Sequence, residues 1–136
     1  MARTPLHMYD MEYEIDEYLG LIASGEHDVN AQDADGKTPL HYAAEQGQSQ
    51  IALALLDAGA DPNLQEKIHG NSAFVQVVSY CDVPTIKKAI AHGADPTIAN
   101  HHGVRPMDLA GRHPEEVIPL LDEAARAFLA KDGDTA

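Results

Sequence analysis

Apolar residues in the middle of the chain recur with helical spacing. Leu40, Ala43 and Ala44 fall on one face of a helix, and Ile51, Ala52, Leu55 and Leu56 on one face of a second. Turn and cap residues bound both. Asp35-Gly36 is a turn dipeptide, Thr38 is a candidate N-cap, and Pro39 then takes the first helical position, where no backbone donor is lost. Gly47 stops the first helix, Ser49 is a candidate cap for the second, and Gly59 closes it. Asp61-Pro62-Asn63 leads on into an extended loop. Each helix is apolar on one face only, so the pair needs a neighbour on either side.

The neighbours are weaker copies of the same pattern. Thr4-Pro5-Leu6-His7 lies 34 positions before Thr38-Pro39-Leu40-His41, and Leu21-Ile22 and Gly25 lie 34 before Leu55-Leu56 and Gly59. Polar departures inside this first unit, such as Glu17 in the place of Ile51, suit a cap with one face unpartnered. In the third unit Ala91-His92-Gly93-Ala94-Asp95-Pro96 repeats Asp57 to Pro62, after one inserted residue between Asn63 and Gly70. Val75, Val77 and Val78 favour a strand by local propensity, but the flanking register predicts a helix, followed by a second that starts at Asp82 or Val83 with Ile86, Ala89 and Ile90 inward. In the fourth unit Pro106, Met107 and Ala110 hold the positions of Pro39, Leu40 and Ala43, while Arg105 replaces Thr and Asp108 replaces His. A longer helix is expected from Pro114 to about Ala130, with Val117, Ile118, Leu121, Ala125 and Phe128 inward and Pro119 tolerated in its first turns. Residues 131–136 read as a frayed tail.

Thr38-Pro39-Leu40-His41-Tyr42-Ala43 is the T-P-L-H-x-A pattern, and over about residues 2–124 the chain resembles the ankyrin-repeat family. The resemblance implies an all-α solenoid of paired antiparallel helices with loop fingers, here with a longer C-terminal capping helix. The expected organisation is a single domain, 1–136, with repeats at about 2–32, 33–66, 67–99 and 100–130. Met1 and the two caps suggest a whole protein. The resemblance also implies non-catalytic protein binding through loop tips and the inner face of the first helices. The matching positions are Asp35, Lys37, Glu45 and Gln46 in the second repeat, Ile68, His69, Asn71 and Tyr80 in the third, and His101, His102, Arg112 and His113 in the fourth. In the first repeat they are Arg3, Met11 and Glu12. Ile68, apolar at a loop tip, and Tyr80, aromatic at a helix end, look least like scaffold. For His7 and His41 the resemblance implies a structural hydrogen-bonding role.

Composition narrows the partner. With 22 acidic and 9 basic residues the formal net charge is −13, which argues against nucleic acid and anionic membranes and favours a basic protein partner. Nine acids and no Lys or Arg lie between Arg3 and Lys37, a soluble cap or a landing site for a basic protein. The single cysteine, Cys81, excludes an internal disulfide framework, and no signal-type or membrane-length apolar run is present, so a cytoplasmic protein is expected, its oligomeric state open with a monomer favoured.

Candidate chemistry is sparse. His101, His102 and His113 could converge on zinc, but no H-E-x-x-H, C-x-x-C or helical i, i+4 histidine pair supports a metal site. Cys81 beside Asp82 has no nucleophile signature around it. No cofactor motif is present, because the glycines recur at repeat spacing. The expectation is an adaptor or scaffold. The alternative is an acidic inhibitor or immunity-type protein that neutralises a basic enzyme or toxin, and a metal- or thiol-dependent enzyme ranks last.

Overall fold

A computed structural model describes residues 15–25, 28–109 and 114–134, with side chains described for 17–25, 28–109 and 114–127. In chain order its helices are α1 (Ile15–Ala23), α2 (Pro39–Glu45), α3 (Ser49–Asp57), α4 (Ala73–Tyr80), α5 (Val83–Ala91), a 3-10 turn (Pro106–Asp108) and α6 (Pro114–Asp134). They pack in two rows. One row is α2, α4 and the 3-10 turn, and the other is α1, α3, α5 and α6. Within a unit, α2 packs on α3 and α4 on α5.

Polar side-chain caps start three of the helices, of which Thr38 and Asp82 stand where the sequence places a helix start. The Thr38 side chain accepts from His41 N, with Pro39 opening α2. Ser72 accepts from Val75 N and so starts α4, which sets the valine run as a helix despite its strand propensity. Asp82 accepts from Thr85 N and starts α5. The expected Ser49 cap is absent. Gln48 takes the cap position without a side-chain bond and Ser49 is already helical. The Ser49 side chain hydrogen-bonds Asp82, tying the start of α3 to the start of α5.

Between the rows lies a continuous core. Leu40, Ala43, Ala44, Ile51, Ala52, Leu55, Leu56, Ile86 and Ala89 are buried as their spacing predicts, Ile90 is partly buried against them, Phe74, Val77 and Val78 of α4 join the core, and Tyr18, Val117 and Leu121 extend it to both ends. After α3 and after α5 the chain turns the same way. Gly59 and Gly93 adopt φ of 100° and 91°, and Ala60 N and Ala94 N bond back to Leu55 O and Ala89 O.

The last unit departs from expectation. Where a helix was expected from Pro106, only one 3-10 turn forms, and 110–113 fall outside the described residues. The turn keeps one of the two bonds that start α2, from the cap amide to the side chain three positions on, and lacks the return bond to a cap side chain. Asp108 Oδ2 accepts from Arg105 N at 2.9 Å, and the Arg105 guanidinium reaches Asp108 Oδ1 at 2.8 Å. Helix α6 runs on to Asp134, through Gly133, rather than fraying after Ala130. Ile118 is 49% exposed, not inward, because α6 turns Val117, Leu121 and Ala124 toward the core. The side chain of Phe128 lies outside the described set.

Candidate functional site

Three hairpins run along one edge of the array, at 33–37, 66–71 and 100–104, and are numbered by the repeats they open as the second, third and fourth. Each is closed by a backbone bond between its ends: Asp33 N to Lys37 O, Glu66 N to Asn71 O and Asn100 N to Val104 O, all 2.9 Å. Each also has one side chain turned into the loop to accept its amides. Asp33 Oδ1 accepts from Asp35 N and Lys37 N at 3.0 Å. Asn100 Oδ1 accepts from His102 N and Val104 N at 2.8 and 3.0 Å. Glu66, buried at 3% exposure, accepts from Ile68 N, His69 N and Asn71 N at 2.8, 2.8 and 2.9 Å. The third hairpin carries the inserted residue, and its acceptor side chain is one methylene longer than aspartate. The longer side chain spans the longer loop.

The hairpins are joined tip to tip. Lys67 N donates to Asp35 O, and His101 N to His69 O, both at 2.8 Å. Gly36 allows the first approach. Its φ is 80°, and a Cβ there would lie 3.1 Å from Lys67 Cγ and 3.3 Å from Glu66 Cα. Behind the tips, amides staple the joints in duplicate. Asn30 Nδ2 and Asn63 Nδ2 donate to Gly59 O and Gly93 O, while their Oδ1 atoms accept from Asp61 N and Asp95 N. Gln32 Nε2 donates to Gly36 O and Gln65 O, and Gln65 Nε2 to Gly70 O and Ala99 O.

His41 performs the structural role implied for it. Nδ1 lies 3.1 Å from Thr38 N, a donor, so Nδ1 accepts and Nε2–H donates to Asn71 O at 2.9 Å. Burial holds its pKa below the ordinary imidazole value, partly offset by the Asn71 carbonyl and by Glu45 and Glu66. For Glu66, burial alone would raise the pKa, but the three backbone donors outweigh it and the net shift is downward. Asp82 is also lowered, chiefly by the Thr85 hydroxyl.

The twelve candidate residues separate into groups. Asp35, Ile68, His69, His101 and His102 are exposed on the hairpin tips, with Ile68 57% exposed. Tyr80 is 49% exposed as the last residue of α4, and Gln46 is exposed at the end of α2. Lys37 and Glu45 are half-buried and pair with each other at 3.0 Å, with the Lys37 ammonium 5.2 Å from the Tyr42 ring. Asn71 serves the joints: its carbonyl receives His41 and its Oδ1 accepts from Asn100 Nδ2 at 2.8 Å. Arg112 and His113 lie outside the described residues, as do Arg3, His7, Met11 and Glu12. His69 faces His102 at a ring separation of 6.1 Å, while the suggested convergence of His101, His102 and His113 lies partly outside the described residues with His113.

Cys81 is buried at the end of α4. Among the described residues no group of three or more His, Cys, Asp or Glu side chains converges as a metal site, and no helix is long and apolar enough to cross a membrane. Sequence reading did not single out the Asn30/Asn63 and Gln32/Gln65 staples or the Glu66 hub. The recurrence of each amide pair 33 positions apart was the available signal.

Comparison with known proteins gives the same architecture a family. Residues 2–66 match the family model described as ankyrin repeats (3 copies). Ankyrin repeat and SAM domain-containing protein 6 of Rattus norvegicus is 35% identical over 81 residues, 60% of this chain and 9% of that protein. BCL-6 corepressor-like protein 1 of Homo sapiens is 34% identical over 95 residues, 70% of this chain and 5% of that protein. Palmitoyltransferase akr1 of Neurospora crassa is 31% identical over 90 residues, 66% of this chain and 12% of that protein. The chain spans 5–12% of the length of these relatives, so what it shares with them is the repeat array. Arrays of this kind are generally non-catalytic protein-interaction modules. The matched repeats, the capped helix pairs and the duplicated joints identify the chain as an ankyrin-repeat protein.

Proposed function

We propose that the chain is an adaptor or scaffold, a single four-unit array that binds another protein through its hairpin tips and the exposed ends of α2 and α4. One observation carries this reading. Ile68 remains 57% exposed at a hairpin tip, and Tyr80 49% exposed on a helix whose Phe74, Val75, Val77 and Val78 are buried. Uncovered apolar and aromatic side chains on a rigid frame are the anchors that protein interfaces favour.

A second reading is an acidic inhibitor or immunity-type protein that neutralises a basic enzyme or toxin. The acid-rich stretch between Arg3 and Lys37 favours it, with Glu17, Asp28 and Asp35 exposed among its described members.

Affinity capture from native cell extract at low and high salt, read by mass spectrometry, separates the two. For an adaptor, the partner is retained at high salt by the wild-type chain and lost from Ile68→Asp and Tyr80→Ala. For an inhibitor, one basic protein is captured at low salt, released at high salt, and indifferent to those two substitutions. Capture of no protein under either condition would overturn both readings.

A further inference from the structure

The tips of the third and fourth hairpins bring together two imidazoles from different repeats. The rings of His69 and His102 have centroids 6.1 Å apart and planes tilted by 36°. Both residues are exposed. Their backbones are fixed independently of the rings. Glu66 holds His69 N at 2.8 Å, Asn100 Oδ1 holds His102 N at 2.8 Å, and His101 N to His69 O, also 2.8 Å, ties one hairpin to the other.

We propose that His69 and His102 form a two-histidine site for a late first-row divalent cation such as Zn2+, with its remaining positions open to water or to a ligand from a bound protein. Imidazole is the ligand that zinc, copper and nickel share. An ion about 2 Å from one nitrogen of each ring, at a tetrahedral angle, needs centroids about 5 Å apart. That is a closure of about 1 Å, within reach of side-chain rotation at exposed positions. The charges around the pair favour a cation in sum. Asp35 on the second hairpin and the Glu66 carboxylate, which accepts from His69 N, are negative, and Lys67 is positive. His101 is set aside from the pair, its ring against Gly70, where an added Cβ would lie 2.5 Å from His101 Cδ2.

The site goes beyond the protein-binding reading and stands or falls separately, because its test uses the metal alone. Zinc chloride is titrated into the full chain by calorimetry at about pH 7.5, where histidine is largely neutral. One ion per chain is expected. Either His69→Gln or His102→Gln is expected to weaken binding about tenfold or more, and lowering the pH to about 5.5 to abolish it, since metal ligands must be deprotonated. His101→Gln is expected to leave affinity unchanged. In the wild-type chain, the imidazole NMR signals of His69 and His102 are expected to shift together as zinc is added, a readout that needs no variant to fold. Absence of saturable binding, unchanged affinity in both the His69 and His102 variants, or loss of binding in His101→Gln alone would overturn the proposal.

Discussion

The imidazole of His41 in α2 donates a hydrogen bond to the carbonyl of Asn71, 2.9 Å away in the next repeat, while its other nitrogen accepts from the cap residue of its own helix. One side chain thus finishes a helix start and a repeat joint together. His41→Ala would leave the Thr38 amide and the Asn71 carbonyl without this partner at a buried site. The expected loss is about 2–4 kcal/mol, measured by urea unfolding at neutral pH. A loss under about 0.5 kcal/mol, the size of an ordinary surface substitution, would show the joint to be held without it.

The same buried imidazole sets the response to acid. Its folded pKa lies below the unfolded value of 6.5, so the unfolded chain takes up the proton first. Its contribution is fully present above pH 6.5 and is lost progressively as pH falls below that value. Glu66 and Asp82, whose folded pKa values lie below 4.5 and 3.8, keep their contributions until the pH drops further and then lose them too. Urea midpoints measured from about pH 7.5 downward should fall first below about pH 6.5, and that first fall should be absent in His41→Gln.

The match between Glu66 and its longer loop is testable by changing both. Glu66→Asp alone shortens the reach to three amides and should destabilise by about 1–3 kcal/mol. Glu66→Asp combined with deletion of Ile68 recreates the dimensions of the second hairpin and should recover part of that loss. Additive destabilisation by the two changes would refute the length match.

Leu55 is fully buried in α3, between the two rows. Leu55→Ala should cost about 2–5 kcal/mol through the cavity it leaves. An unchanged urea midpoint would remove α3 from the core.

Gly59 adopts φ of 100° with open space around its missing side chain. The cost of Gly59→Val is therefore conformational rather than steric crowding, about 1–2 kcal/mol. The thermal midpoint should drop without loss of cooperativity.

Much of this fold was legible because the second repeat states it completely. Thr38, Pro39, Gly47 and Gly59 marked helix ends, and the spacing of Ile51, Leu55 and Leu56 marked the buried face. The register carried those assignments across the valine run of α4, where propensity alone pointed to a strand. Exposure of Ile68 followed from its place at a loop tip in that register. What was hidden depends on pairing across joints. Asn71 has the side chain of a binding residue, yet its carbonyl and amide are turned to His41 and Asn100. Lys37 and Glu45 lie eight positions apart and neutralise each other only once the hairpin folds against α2. The contact of His69 with His102 spans two hairpins and leaves no local trace in sequence.

The duplicated amides have an architectural consequence. Asn63 and Gln65 present to the next unit what Asn30 and Gln32 present to theirs, and each unit receives them on the same backbone atoms. The array is therefore written as interchangeable courses with a common mortar, and a tandem copy of residues 33–65 would meet matching faces above and below. At Thr97 and Ala99, the next positions in line, both amides are missing. Beyond that course the same mortar is absent, and the long flank of α6 covers α5 instead.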